Sequence, residues 1–180
     1  MKKNILALTL IIILFFTNCM MTTDFSKLYS LALNSIANGS KEVALDYSSR
    51  LKSIAKGPEQ LSVAYMISGY SCYINGNYKE ALRDFEKSDD YLLSSESAAG
   101  NILTTFMLEH YELVSCQINT LDTFEEGWGF QVNNQSLNKA KLYEICALST
   151  AIIKNKVEFD ALKAKVSPEK MQEMEVFFFE

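Results

Sequence analysis

AYMISGYSCYINGNYKEALRDFEKS, residues 64–88, reads as one helical hairpin. A first helix carries Tyr65, Gly69, Cys72 and Tyr73, with apolar positions recurring at helical spacing. Asn75-Gly76-Asn77 breaks it, since Gly and Asn take the left-handed backbone with which helices commonly end. A second helix then carries Tyr78, Ala81, Leu82 and Phe85. Small residues stand where two helix backbones must approach closely, and aromatics fill the space beside them. Such a unit cannot bury its apolar side alone and is built to stack on others like it.

Upstream, the same plan recurs. Asp24 caps a helix through Ala37 with Phe25, Leu28, Tyr29, Ala32, Leu33 and Ile36 at helical spacing. Asn38-Gly39-Ser40 breaks it, and Ser40 is placed to cap a helix carrying Val43, Ala44, Tyr47, Leu51 and Ile54. Asn38-Gly39 and Ala44-Leu45 return as Asn75-Gly76 and Ala81-Leu82 at a shift of 37, while Lys41-Glu42 matches Lys79-Glu80 at a shift of 38, so two registers stay open. Downstream the pattern fades. Residues 94–117 read as a third, degenerate hairpin with a break near His110-Tyr111, or as one bent helix. Residues 123–135 read as a loop, in which Gly127 and Gly129 flank Trp128, the only tryptophan. Ser136 is expected to start a further helix, with a break at Asn155 and a return helix in which Ala161-Leu162 echoes Ala81-Leu82. Ser167-Pro168-Glu169 starts a last helix that would close the end of the stack.

The hairpin at 64–88 resembles a tetratricopeptide repeat, whose pattern fixes a large residue, two glycines, Tyr, Ala, Phe and a small residue at set offsets. Tyr65, Gly69, Gly76, Tyr78, Ala81, Phe85 and Ser88 fill those slots; Cys72 stands where an aromatic is usual and Ser88 where Ala is usual. The resemblance implies an all-α fold, a TPR-like α-solenoid of three to four stacked antiparallel helical hairpins plus a C-terminal capping helix. It also implies a concave surface lined by the first helix of each hairpin, suited to an extended peptide or partner helix. The family's ligand-contact positions fall on Met66, Tyr70 and Tyr73; ordinary packing against a neighbouring hairpin is the other role open to them. In the loop, Trp128 and Phe130 are candidate binding anchors, although for Trp128 the preferred reading is that it folds back to cover the end of a hairpin.

The N-terminus reads as an address. Lys2 and Lys3 precede an apolar run, Ile5 to Phe16, interrupted only by Thr9. The run is short of the roughly 20 residues a spanning helix needs and suits a signal-peptide core. Cys19 closes it and resembles the acylated cysteine of bacterial lipoproteins, although Phe16-Thr17-Asn18 departs from the usual Leu-Ala-Gly type of lipobox. The expected organisation is a signal peptide over 1–19 ending at lipidated Cys19, a tether over 20–23 and a helical domain over 24–180. An ordinary secretory signal is the alternative. No Asp follows Cys19 to resemble an inner-membrane retention signal, which favours an outer membrane or the periplasmic side of a membrane.

Composition bounds the function. The chain of 180 residues carries 22 acidic and 17 basic residues, net −5, and loss of Lys2 and Lys3 would make it more acidic. No basic stripe is present, so no nucleic-acid partner is expected. Cys72, Cys116 and Cys146 fit neither a zinc spacing nor a disulfide framework and read as small buried hydrophobes. There is no glycine-rich phosphate loop, HExxH or GxSxG, so no cofactor, metal or catalytic residue is assigned. Three functions remain: a scaffold holding another envelope protein or peptide, with the membrane reached through the lipid anchor; an accessory, ligand-binding subunit of a solute transport system; and a thiol-dependent enzyme, which would need His110 within hydrogen-bond reach of Cys116.

Overall fold

The computed structural model describes residues 25–179, so Cys19 and the leader and tether expected over 1–23 lie outside the described residues. The chain is mostly helical. Four helix–turn–helix units follow one another: α1 (residues 25–37) with α2 (Lys41–Ile54), α3 (Gly57–Ile74) with α4 (Tyr78–Tyr91), α5 (Ser95–Met107) with α6 (Tyr111–Cys116), and α8 (Lys139–Ile152) with α9 (Lys156–Ala161). A single turn of helix, α7 (Ile118–Leu121), and a hairpin of β1 (Gly129–Val132) and β2 (Gln135–Asn138) lie between the third and fourth units. Helix α10 (Pro168–Phe179) ends the described chain.

All four units turn in the same way. Gly39, Gly76, Glu109 and Lys154 sit at φ +68°, +81°, +62° and +56°. Each follows a helix, and the next amide reaches back to the carbonyl of the third-last residue of that helix: Ser40 N to Ser35 O, Asn77 N to Cys72 O, His110 N to Thr105 O and Asn155 N to Thr150 O, at 2.8–3.1 Å. This is the Schellman closure, which satisfies carbonyls the helix end would leave bare. The following carbonyl then opens the second helix, binding the amides of Ala44, Ala81, Val114 and Phe159. All four of those side chains are fully buried. The register between the first two units is therefore the shift of 37, and the partner of Ala81 in the last unit is Phe159 rather than Ala161. The break near His110 is a true reversal of the chain, not a bend.

Close approach of backbones holds the central units together. Phe85 of α4 is fully buried between two glycines. A Cβ on Gly69 of α3 would stand 2.7 Å from its ring, and one on Gly100 of α5 only 2.3 Å. Tyr70 meets the same ring edge-on, with centroids 4.8 Å apart. Serines continue the close contact. The Ser88 hydroxyl donates to Ser62 O at 2.9 Å, and the Ser62 hydroxyl donates to Leu92 O at 2.9 Å, so these buried polar groups are satisfied. Asp84 ties three helices, accepting from Ser68 of α3 at 2.5 Å and pairing with Lys52 of α2 at 3.4 Å.

The all-α expectation holds for the scaffold and fails at one place. Residues 129–138, expected as loop and helix start, form an antiparallel hairpin in which Phe130 faces Leu137 and Val132 faces Gln135. Asn133 and Asn134 make its turn at φ 50° and 62°, the doubly left-handed geometry that matches strand twist. The helix expected at Ser136 starts at Lys139, where the Asn138 side chain accepts from Lys141 N at 2.9 Å. Helix α10 packs on α8 and α9 and covers the last unit. Met171 is buried, Phe179 lies against Phe159 with centroids 5.1 Å apart, and Glu175 binds both Lys156 and Lys163. Cys146 is buried, and burial pushes its thiol up to about 12, whereas Cys116, expected in the core, is exposed at the end of α6.

Three substitutions test these contacts. Gly100→Ala gains about 1 kcal/mol of helix propensity, but its methyl has nowhere to go beside Phe85; chemical denaturation should show a net loss of roughly 1–3 kcal/mol. Phe85→Ala should cost about 3–5 kcal/mol. At the C-terminus, hydrogen bonds from Lys156 and Lys163 hold the Glu175 carboxyl below its ordinary 4.5. Its contribution is therefore complete above that value and disappears as pH falls toward the lowered one. Glu175→Gln should lower the melting temperature at pH 7, and the difference from wild type should shrink as pH falls below 4.5.

Candidate functional site

The β-hairpin touches the first helix of each unit: the end of α1, then α3, α5 and α8, of which α3 packs on α5 and α5 on α8. Its position follows from local chemistry. Phe130, Val132 and Leu137 point to one side of the two strands and Gly129, Gln131 and Ser136 to the other, as strand alternation requires. Val132 and Leu137 are buried, Phe130 is half-buried and the opposite side is exposed.

The turn of the hairpin caps α1. Asn133 N donates to Ile36 O at 2.9 Å and Asn134 N to Ala37 O at 2.6 Å. The Asn134 side-chain amide adds a bond to Asn38 O at 3.4 Å. The strand meets α3 through Phe130, whose ring centroid lies 4.7 Å from that of Tyr70. Trp128 reaches α5, where its indole N–H donates to the Glu96 carboxylate at 3.3 Å, and it packs edge-on against Phe124 at 5.0 Å. The Tyr70 hydroxyl donates to Glu96 O at 2.7 Å, so one turn of α5 receives both aromatic donors. Burial, then the nearby Glu96 charge, drives the Tyr70 phenol well above its usual range, and it stays a neutral donor.

Two clefts flank the hairpin. One, of about 230 Å³, is lined by Tyr73, Leu103, Phe106, Val132, Leu137 and Ile145. The other, of about 350 Å³, runs between β1 and α1 beside Leu33, Asn34, Ala37, Phe130 and Gln131.

The residues singled out from sequence thus come together, but not as an open groove. Met66 and Tyr70 are buried and Tyr73 is half-buried at the smaller cleft. Phe130 sits on Tyr70, and Trp128 folds back onto the helices. Tyr70 is thereby closed off by the chain itself. Cys116 and His110 do not meet: His110 caps α6 and borders one cavity, while Cys116 borders another with Asp122, Glu158 and Lys165. Among the described residues no three His, Cys, Asp or Glu side chains are grouped to hold a metal ion. Glu96, Gly100 and the Asn133-Asn134 turn escaped the sequence reading. The turn had a signal, since FQVNNQSL alternates apolar and polar residues about two asparagines.

Comparison with protein-family models, with curated proteins and with solved structures returns no match. The fold and the site define the class directly: a mainly helical protein of packed helix–turn–helix units, carrying a β-hairpin on the face of its first helices.

Phe130→Ala removes half-buried aromatic surface from Tyr70 and should cost about 1–3 kcal/mol, less than the 3–5 kcal/mol of a fully buried phenylalanine. The emission of Trp128 should shift to the red in the same variant. Gln131→Ala, on the exposed side, should stay within about 0.5 kcal/mol of wild type.

Proposed function

We propose that the chain is a lipid-anchored, TPR-like helical-repeat protein that holds another polypeptide at the bacterial cell envelope. The observation that supports it best is the fourfold recurrence of one turn, with the β-hairpin touching the first helix of every unit. Proteins built this way offer extended surfaces and little chemistry, and they bind through such faces. The aromatic lining fits that use. Tyr, Phe and Trp bring large contact area at small entropic cost, and Tyr73 borders solvent at the smaller cleft. The anchor rests on sequence alone: charged start, short apolar core and Cys19. Among the described residues no helix is long and apolar enough to cross a membrane, so attachment would fall to acyl chains, each buried CH₂ contributing about 0.8 kcal/mol.

A second reading is favoured by the cleft beside Tyr73. At about 230 Å³ with mostly apolar walls it would take a small apolar molecule, as an accessory ligand-binding subunit of a solute transport system would. Its volume lies below the roughly 300–1,000 Å³ of common ligand sites, which places it second. The thiol-enzyme reading has no support in the separation of Cys116 from His110.

Both parts of the first reading can be tested in the producing cell. Mass spectrometry of the membrane fraction should find Cys19 as an acylated N-terminus, and Cys19→Ala should move the protein to the soluble fraction. A photo-crosslinking amino acid at Tyr73 or Gln131 should join the chain to one envelope protein, and the same probe at exposed Glu86 of α4 should not. An unacylated protein would remove the anchor from the reading. Equal crosslinking from both faces, or none, would remove the scaffold.

A further inference from the structure

We propose that the β1–β2 hairpin is a displaceable self-ligand: it occupies the face that takes an extended, aromatic-bearing segment of a partner polypeptide, and it undocks to admit that segment. The inference rests on the scaffold reading above and names the chemistry of its partner.

The hairpin stands outside the turns that close the four units. It is inserted between α7 and α8 and supplies none of the four turns. The lock of Phe85 against Gly69 and Gly100 is made by α3, α4 and α5 alone, and the Tyr70 hydroxyl finds its acceptor in α5. Val132 and Leu137 anchor the hairpin in the core, and its other contacts with the helices are a few separable points. Its turn bonds to the carbonyls of Ile36 and Ala37, its Phe130 stacks on Tyr70, and its Trp128 bonds to Glu96. Phe130 and Trp128 are only half-buried. Clefts of about 350 and 230 Å³ run along its two sides, where a permanent core element would be packed without voids.

Those same points state what the face recognises. Two adjacent carbonyls at the end of α1 accept two successive backbone N–H groups. The Tyr70 ring seats an aromatic side chain. Glu96 accepts from an indole or another N–H donor and repels an acid. A partner segment that supplies Trp-x-Phe or a similar pair of aromatics two residues apart in extended form, and then turns as Asn133-Asn134 does, satisfies all three. The tethered hairpin is present at an effective concentration of the order of millimolar, so it screens weak competitors and admits only a segment that binds better than it does.

The test uses the full chain and a labelled peptide of sequence EEGWGFQVNNQ, identical to residues 125–135. The double variant Trp128→Ala/Phe130→Ala empties the aromatic seat while leaving the helices. It should bind this peptide at least about tenfold more tightly than wild type, whose own hairpin competes. A peptide with both aromatics changed to Ser should not bind. Native-state hydrogen exchange on the wild type supplies the second measurement, and it does not depend on whether the variant folds. The amides of Asn133 and Asn134 should exchange well before those of α3 and α5, with little dependence on denaturant, as local opening requires. Exchange of the hairpin only together with α3 and α5, or equal peptide affinity for variant and wild type, would make it a fixed part of the core. That result would leave the scaffold untouched, whereas a failed crosslink from Tyr73 and Gln131 would remove the scaffold and leave a positive exchange result standing.

Discussion

Phe85 lies where three helices meet, and the arrangement of the chain depends on its having two glycines to lie against. A helix backbone carries a Cβ at every other residue type, and on either Gly69 or Gly100 that one carbon would enter the ring. Removing it lets α3 and α5 both close on α4, so a single side chain joins the second unit to the third. Tyr70 then packs edge-on against the ring and spends its hydroxyl on the Glu96 carbonyl, which carries the same junction toward the face of the first helices. Volume and backbone approach decide this contact. Hydrophobicity alone would accept Leu at position 85, but Leu would not fill the space two missing Cβ atoms leave.

The repeated turn shows how a local motif outlasts its sequence signal. Gly39 and Gly76 reach positive φ without strain. Glu109 and Lys154 make the same turn with a Cβ, at a cost of about 1–2 kcal/mol each. They persist because the helices on both sides are held by packing: Val114 and Phe159 occupy the buried position four residues past the turn that Ala44 and Ala81 occupy earlier. Larger side chains there accompany shorter second helices, α6 and α9. The later units therefore trade length for bulk, and α10 closes the open side of the last one through Phe179 and a cluster of lysines and carboxylates.

The β-hairpin changes what the shared helix face can do. Without it, Tyr70 and the end of α1 would stand open, and an extended ligand would be free to lie along the first helices. With it, the aromatic seat is taken by Phe130 and the bare carbonyls of α1 by Asn133 and Asn134. What remains open is narrower: the edge of β1, the cleft beside Tyr73 and the exposed side of the strands. Any partner of this face meets the hairpin first.

By itself the sequence determined the helices, because helical spacing, caps and breaks are properties of a few consecutive residues. Asn75-Gly76, Ser167-Pro168 and the stretch from Ala64 to Ser88 are legible without a neighbour, and so are the aromatics that gather at the candidate site. Register past residue 94 was not legible, since the left-handed turn there falls on Glu109 and Lys154, residues that give no sign of it. The hairpin was hidden for a different reason. Four-residue strands are too short to announce themselves, and they hold their form only because the end of α1, some hundred residues away along the chain, offers carbonyls to the turn and Tyr70 offers a surface to Phe130. Whether an aromatic lines an open groove or plugs it depends on which distant segment lands there, and only the tertiary structure, where entropy of the whole chain is set against burial, decided that.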